Sequence, residues 1–195
     1  MSAGGGSALD EVLTRARRLV DRWDHEDCGP MTVRDFCRYA AALGDDEYVR
    51  WARAREAAGE PVEAPPLFLA GTMSWEDGPV ERDLRPDGLA VRESPCTRGL
   101  PVRQVHGGQS VRLMRPPVAG TRVTASRAVV SAQRKHGRTG AFVLLALTTR
   151  FTSADGGELT TVDETIVVRE ALEPETLEPE TPQSGSVGGA EGGAA

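Results

Sequence analysis

The stretch Ala141-Phe142-Val143-Leu144-Leu145-Ala146-Leu147 decides how this chain folds. It is apolar at every position and too short to cross a bilayer. Turn residues bound it: Lys135-His136-Gly137-Arg138 come before it and Asp155-Gly156-Gly157 after it. A strand with apolar side chains on both faces belongs in the middle of a sheet, with cover on each side. Outward from it the apolar residues recur with period two, which predicts four strands at 105–115, 122–133, 139–152 and 159–169. Pro116-Pro117 with Gly120 punctuates the first connection, and the two turns above punctuate the others. Connections this short predict an antiparallel meander.

Upstream of the sheet the period is helical. Leu9, Val12, Leu13, Ala16, Leu19, Val20 and Trp23 share one face, with acidic residues early and Arg15, Arg17 and Arg18 later, as a helix dipole favours. The spacing predicts an N-terminal helix over 8–28, ended by Gly29-Pro30. Thr32 is the expected N-cap of a second helix over 33–43, closed by Gly44, and a third is predicted over 46–58. Pro66-Leu67-Phe68-Leu69-Ala70-Gly71-Thr72-Met73 is apolar nearly all round and opens on proline, so it predicts a helix buried on most sides, with Leu67, Phe68 and Met73 in the core. Residues 76–100 read as a long loop, of the kind that serves as a lid. Residues 1–7 and the acidic, Pro- and Gly-rich 171–195 lack the apolar content for a core and are expected to be disordered, which leaves 29–170 as the folded domain. One buried helix wrapped by a curved antiparallel sheet is an α+β layout.

The chain has 195 residues, 39% of them apolar and 27% charged, ordinary values for one soluble domain. Its net charge of −6 and the lack of a basic stripe argue against nucleic acid or a membrane surface as partner. Cys28, Cys37 and Cys96 are odd in number and far apart, giving neither a disulfide framework nor a metal motif. No basic region followed by an apolar run opens the chain, so no secretory leader is expected and a reduced, cytoplasmic protein is.

Four stretches taken in order carry a family resemblance. Thr32-Val33-Arg34-Asp35-Phe36 through Tyr39-Ala40-Ala41-Ala42-Leu43-Gly44-Asp45 resembles the opening of the MaoC-like hydratases and the FAS1-like dehydratase N-terminal domains. Ala64-Pro65-Pro66-Leu67-Phe68 is similar to their approach to the central helix. Val105-His106-Gly107-Gly108-Gln109-Ser110-Val111, with Arg115-Pro116 and Ala119-Gly120, resembles their first long strand and turn, and Asp163-Glu164-Thr165-Ile166-Val167-Val168-Arg169 their last strand. The resemblance spans about residues 30–170. It implies a hotdog fold and reversible addition of water across the double bond of an enoyl thioester carried by coenzyme A or an acyl carrier protein, with no cofactor and no metal.

That chemistry needs a base for the proton alpha to the thioester, an acid for the departing hydroxyl, and fixed donors for the enolate oxygen. Active members supply Asp and His in a Gly-Asp-x-Asn-Pro-x-His pattern. Here Gly44-Asp45 matches, but Glu47, Tyr48 and Arg50 stand at the Asn, Pro and His positions. A guanidinium cannot act as a base near neutral pH. The departure implies a subunit lacking the full pair, completed by a homologous MaoC-like catalytic subunit or by a second copy of itself. The candidate catalytic residues are Asp45 and His106. The expected substrate-contacting positions are Pro66, Leu67 and Phe68 at the helix start, and Gly107, Gly108 and Gln109 beside His106.

Structural readings stand beside these. An acid just past a helix-ending glycine is often a cap, His106 suits a strand edge bonded to a backbone carbonyl, and Gly107-Gly108 suits a bulge or a close approach of another backbone. Trp23, Trp51 and Trp75 fit packing or interface roles, and Arg92 and Arg98 fit either solvent or a carrier phosphate. Two other functions share the fold: a non-catalytic acyl-binding or scaffold protein, and a thioesterase. The thioesterase needs a carboxylate on the central helix or facing it, and the lack of an acid in 66–75 counts against that reading.

Overall fold

The structure is a computed structural model, and it describes residues 7–71, 80–84 and 95–171. Five strands form one antiparallel sheet in the order β1-β3-β4-β5-β2, with β1 at Asp24–Pro30, β2 at Val102–Leu113, β3 at Arg122–Gly137, β4 at Gly140–Ser153 and β5 at Glu158–Glu170. The helices are α1 (Ala8–Leu19), α2 (Val33–Ala42), α3 (Asp46–Ala57) and the single turn α4 (Phe68–Gly71). The apolar stretch 141–147 lies in β4, at the centre of the sheet as its composition requires.

All the helical cores gather on one face. On β4, Val143, Leu145, Leu147 and Phe151 alternate inward. The first three meet Leu9, Val12, Leu13 and Ala16 of α1, together with Val129 and Val168. Phe151 joins Val123, Ala125 and Val162 against Phe36 and Cys37 of α2 and Phe68 and Leu69 of α4. Phe142, Leu144 and Ala146, on the opposite face, are only half-buried, so β4 is less evenly covered than its composition predicts.

Several expectations need correction. The first helix ends at Leu19 instead of continuing to 28, and residues 24–30 form an edge strand on β3. Asp24-His25-Glu26-Asp27 carries no apolar residue, so its strand character comes from backbone pairing alone. Ser7 is ordered: its side chain accepts from Leu9 N–H and donates to Glu170 at 2.7 Å. The four sheet-forming strands are also not a simple meander. β2 pairs with β5, not with β3. The proline-rich connection after β2 therefore carries the chain from one edge of the sheet to β3 on the far side of β4. It is braced by Ala64 N–H donating to Pro117 O at 2.9 Å and Ala119 N–H donating to Val62 O at 2.8 Å. The expected helix from Pro66 begins at Phe68; Met73, Trp75, Arg92, most of the long loop and the tail beyond Ala171 lie outside the described residues.

Each of the four strand pairings contains one register shift, and these bulges bend the sheet around its helices. At the far end, the Asp155 turn is pinned. Arg115 donates to Ser153 Oγ at 2.6 Å and pairs with Asp155 at 3.0 Å. Its guanidinium occupies the space where a side chain on Gly157 would sit, so a larger residue there would have to displace the end of Arg115.

Two carboxyls are held below the usual carboxylate range: Asp27 by the Arg122 guanidinium and the Gly29 N–H, and Asp155 by the Ser153 hydroxyl and the Gly157 N–H. A carboxyl depressed on folding adds stability above its unfolded pKa of about 4, and that stability is lost as pH falls through the folded value. Stability should therefore drop below about pH 4. Asp27→Asn and Asp155→Asn should each flatten that acid limb slightly, since both groups are exposed. Urea denaturation at a series of pH values checks this; an acid limb unchanged in both variants would contradict it.

Candidate active site

The first part of the site is the α2–α3 junction. Gly44 adopts φ +76°, and the chain re-enters a helix at Asp45. The Asp45 carboxylate accepts the Tyr48 backbone N–H at 2.9 Å, so this acid serves as the N-cap of α3. The Tyr48 hydroxyl donates to Glu63 O at 2.6 Å, and burial pushes its pKa up to about 12, so it ties α3 to the extended segment before α4. Arg50 is exposed on α3.

The α4 turn follows. Phe68 is buried edge-to-face against Phe36, with ring centroids 4.9 Å apart, and against Tyr39 at 5.6 Å. Leu67 is not core: it adopts φ +62° and its side chain is 48% exposed. A left-handed residue after Pro65-Pro66 turns the chain sharply, sending Phe68 inward and Leu67 outward. Pro66 is exposed beside it.

The second part lies across the sheet. Gly107 is the bulge residue between His106, opposite Ile166, and Gly108, opposite Thr165. A side chain at Gly107 would come within 3.2 Å of the Thr165 backbone oxygen, so the glycine permits a close strand approach. Gln109 faces Glu164 in register, and Glu164 in turn faces the inward Leu147. Glu164 therefore points to the helix-bearing face, between the two cores. Arg127 shares that face, since its β4 neighbour Thr149 has the same parity as Leu147 and Phe151. Arg127 Nη2 donates to Glu164 Oε2 at 3.1 Å, and His106 Nε2 lies 3.7 Å from Glu164 Oε1.

The sequence singled out His106 and Gln109 but neither Arg127 nor Glu164, the two charged side chains that its fold sets beside them. The available signal was slight, because both strands carry other charged residues, Arg122 and Arg134 on β3 and Asp163 and Arg169 on β5 among them. Asp45 and His106 sit on different elements with different partners: Asp45 on α3 with Tyr48, His106 on β2 with Glu164. On the other side of the sheet, Gly108, Ser110, Ala146, Thr148, Asp163 and Thr165 help line an open groove of about 420 Å³.

Residues 21–162 match the family model described as "FAS1-like, dehydratase domain region". The chain belongs to this FAS1-like dehydratase family. Only α1 and the end of β5 among the ordered elements lie outside the match. Solved structures show the same hotdog fold. The ChsH1-ChsH2 complex from Mycobacterium tuberculosis is 17% identical over 86% of this chain and 94% of that chain, with a TM-score of 0.57. A MaoC-like dehydratase is 21% identical over 78% of this chain and 42% of its own length, at a TM-score of 0.53. An (R)-hydratase from A. caviae involved in PHA biosynthesis is 19% identical over 75% of this chain and 94% of that chain, at 0.50. No curated protein matches the chain. Among the described residues, no helix of this family member is long and apolar enough to cross a membrane.

Proposed function

We propose that the chain is the auxiliary subunit of a heteromeric hydro-lyase acting on 3-hydroxyacyl and enoyl thioesters of coenzyme A or an acyl carrier protein, with residues 29–170 and the preceding strand as the functional unit. The observation that carries this is the use of Asp45. Its carboxylate caps α3, and the position five residues on, where the family's histidine belongs, holds an exposed arginine. A proton relay needs both groups free and facing the same substrate. The catalytic Asp/His pair would come from a homologous partner subunit.

The sheet edges support a partner of the same fold. β1 presents Asp24, Glu26 and Asp27 and closes on Gly29-Pro30, a poor template for another strand. β2 is 12 residues long, and among the described residues its partner in the sheet is β5 alone, which leaves its outer edge open to another strand. It also exposes Val105 and Leu113. Pairing along β2 would bring His106 and Gln109 to the junction of two subunits.

The test follows loss of enoyl absorbance from a crotonyl thioester, first with the chain alone and then with a partner that keeps the Gly-Asp-x-Asn-Pro-x-His pattern. Activity is expected only with both. Robust turnover by the isolated chain would overturn the auxiliary role, and an inactive, fully assembled pair would favour the scaffold reading.

A further inference from the structure

The geometry points to Glu164, locked by Arg127, as the positioning residue that presents His106 to the 3-hydroxyl group of a 3-hydroxyacyl thioester. The substrate class rests on the hydro-lyase reading above; the three-residue arrangement does not.

An arginine beside a carboxylate commonly grips it through two parallel hydrogen bonds. Here only Nη2 reaches Glu164, through Oε2, and the buried Nε of Arg127 makes no hydrogen bond. The carboxylate is turned so that its other oxygen, Oε1, faces His106 Nε2. Glu164 thus stands between a cation on β3 and an imidazole on the β2 edge. At 3.7 Å the imidazole contact is longer than a hydrogen bond, and a rotamer-sized adjustment of the half-exposed His106 closes it. Across the β2–β5 ladder, the inward residues next to Glu164 are Gln109, Ile166 and His106, so Glu164 is the only charged group among them.

The consequence is a chemical selectivity. A carboxylate facing Nε2 favours the tautomer with the proton on that nitrogen, which leaves Nδ1 as a hydrogen-bond acceptor. An acceptor cannot pair with the thioester carbonyl, which is an acceptor too. It can take a hydrogen bond from the 3-hydroxyl, which the enoyl thioester lacks. No bond is made or broken at His106 in this role: it holds the hydroxyl in place while the partner's groups move the protons. His106 would touch the substrate, and Glu164 and Arg127 would act through it.

The experiment measures binding of 3-hydroxybutyryl-CoA and crotonyl-CoA to the full chain by calorimetry. The wild type should prefer the hydroxyacyl thioester. His106→Ala should weaken that ligand about five- to tenfold and leave crotonyl-CoA nearly unchanged. Glu164→Gln, which keeps the shape of the side chain, should move the ratio in the same direction, and the double variant should lose no more than His106→Ala alone. Equal losses for both ligands, additive losses in the double variant, or no binding of either thioester by the wild type would each overturn the inference. Failure of the hydro-lyase reading would look different: selectivity for the hydroxyacyl thioester would persist while no partner produced turnover.

Discussion

Replacing Phe36 by alanine is expected to destabilise the fold by about 3–5 kcal/mol, which lowers the melting temperature by on the order of 10 °C. Phe36 is fully buried at the centre of the larger core, between the sheet residues Val123, Ala125 and Phe151 and the α4 turn. It also seats the ring of Phe68, which in turn packs on Tyr39. Alanine removes the apolar area and leaves a cavity between two helices and a sheet, elements too rigid to collapse into it. Because Phe68 fixes the turn after Pro65-Pro66, the same change should loosen α4. Guanidinium unfolding followed by circular dichroism measures the first effect. A loss under about 1 kcal/mol would mean that α2 contributes little to the core.

The second large effect is catalytic. In a reconstituted pair, changing the partner's pattern histidine to alanine should lower kcat about 10²–10⁴-fold, the range one general acid–base group supplies. Asp45→Asn in this chain should lower it less than about tenfold, because asparagine still caps a helix and the capping role survives. Asp45→Ala should instead show its cost in stability, about 1 kcal/mol, from the uncapped N–H of Tyr48. Enoyl absorbance with purified variant pairs reads all three. If Asp45→Asn proves as damaging as the partner's histidine change, Asp45 is a proton-transfer group and the division of labour proposed above is wrong.

The local elements were legible in the sequence. Thr32 and Gly44 framed α2, the acidic run from Asp45 opened α3, and the run 141–147 belonged to the middle of a sheet, where β4 lies. Each depends on spacing within a dozen residues. What escaped depended on pairing across the chain. Most of β1 lies in the stretch whose spacing predicts the end of the first helix, and it is a strand because Arg122 and its neighbours on β3 offer backbone partners and a counter-charge. Nothing near Leu113 says that its strand will cross to β5, since that choice is settled by residues some fifty positions away. Leu67 read as core because its neighbours are apolar, and only its backbone angle turns it outward. The site was half visible for the same reason. His106 and its glycines stood out locally, but which of Asp163 and Glu164 points inward follows from the sheet register.

The bulges also give this sheet a testable rhythm. Read from the registers, the extra residues are Cys28, Gly107, Val130 and Leu159, one for each neighbouring pair of strands. An extra residue shifts the in–out alternation by one step, so inward and outward positions exchange parity along the strand. On β3 the buried Val129 is followed by the exposed Val130, after which the even-numbered positions take over the inward face. A map of tolerated substitutions along these strands would look like two combs laid end to end, with the teeth displaced by one. Trimming Val130 would bring the teeth back into line without turning any residue over, because Ser131 already pairs with the outward Ala146 and would then directly follow the inward Val129; what such a deletion removes is the local bend.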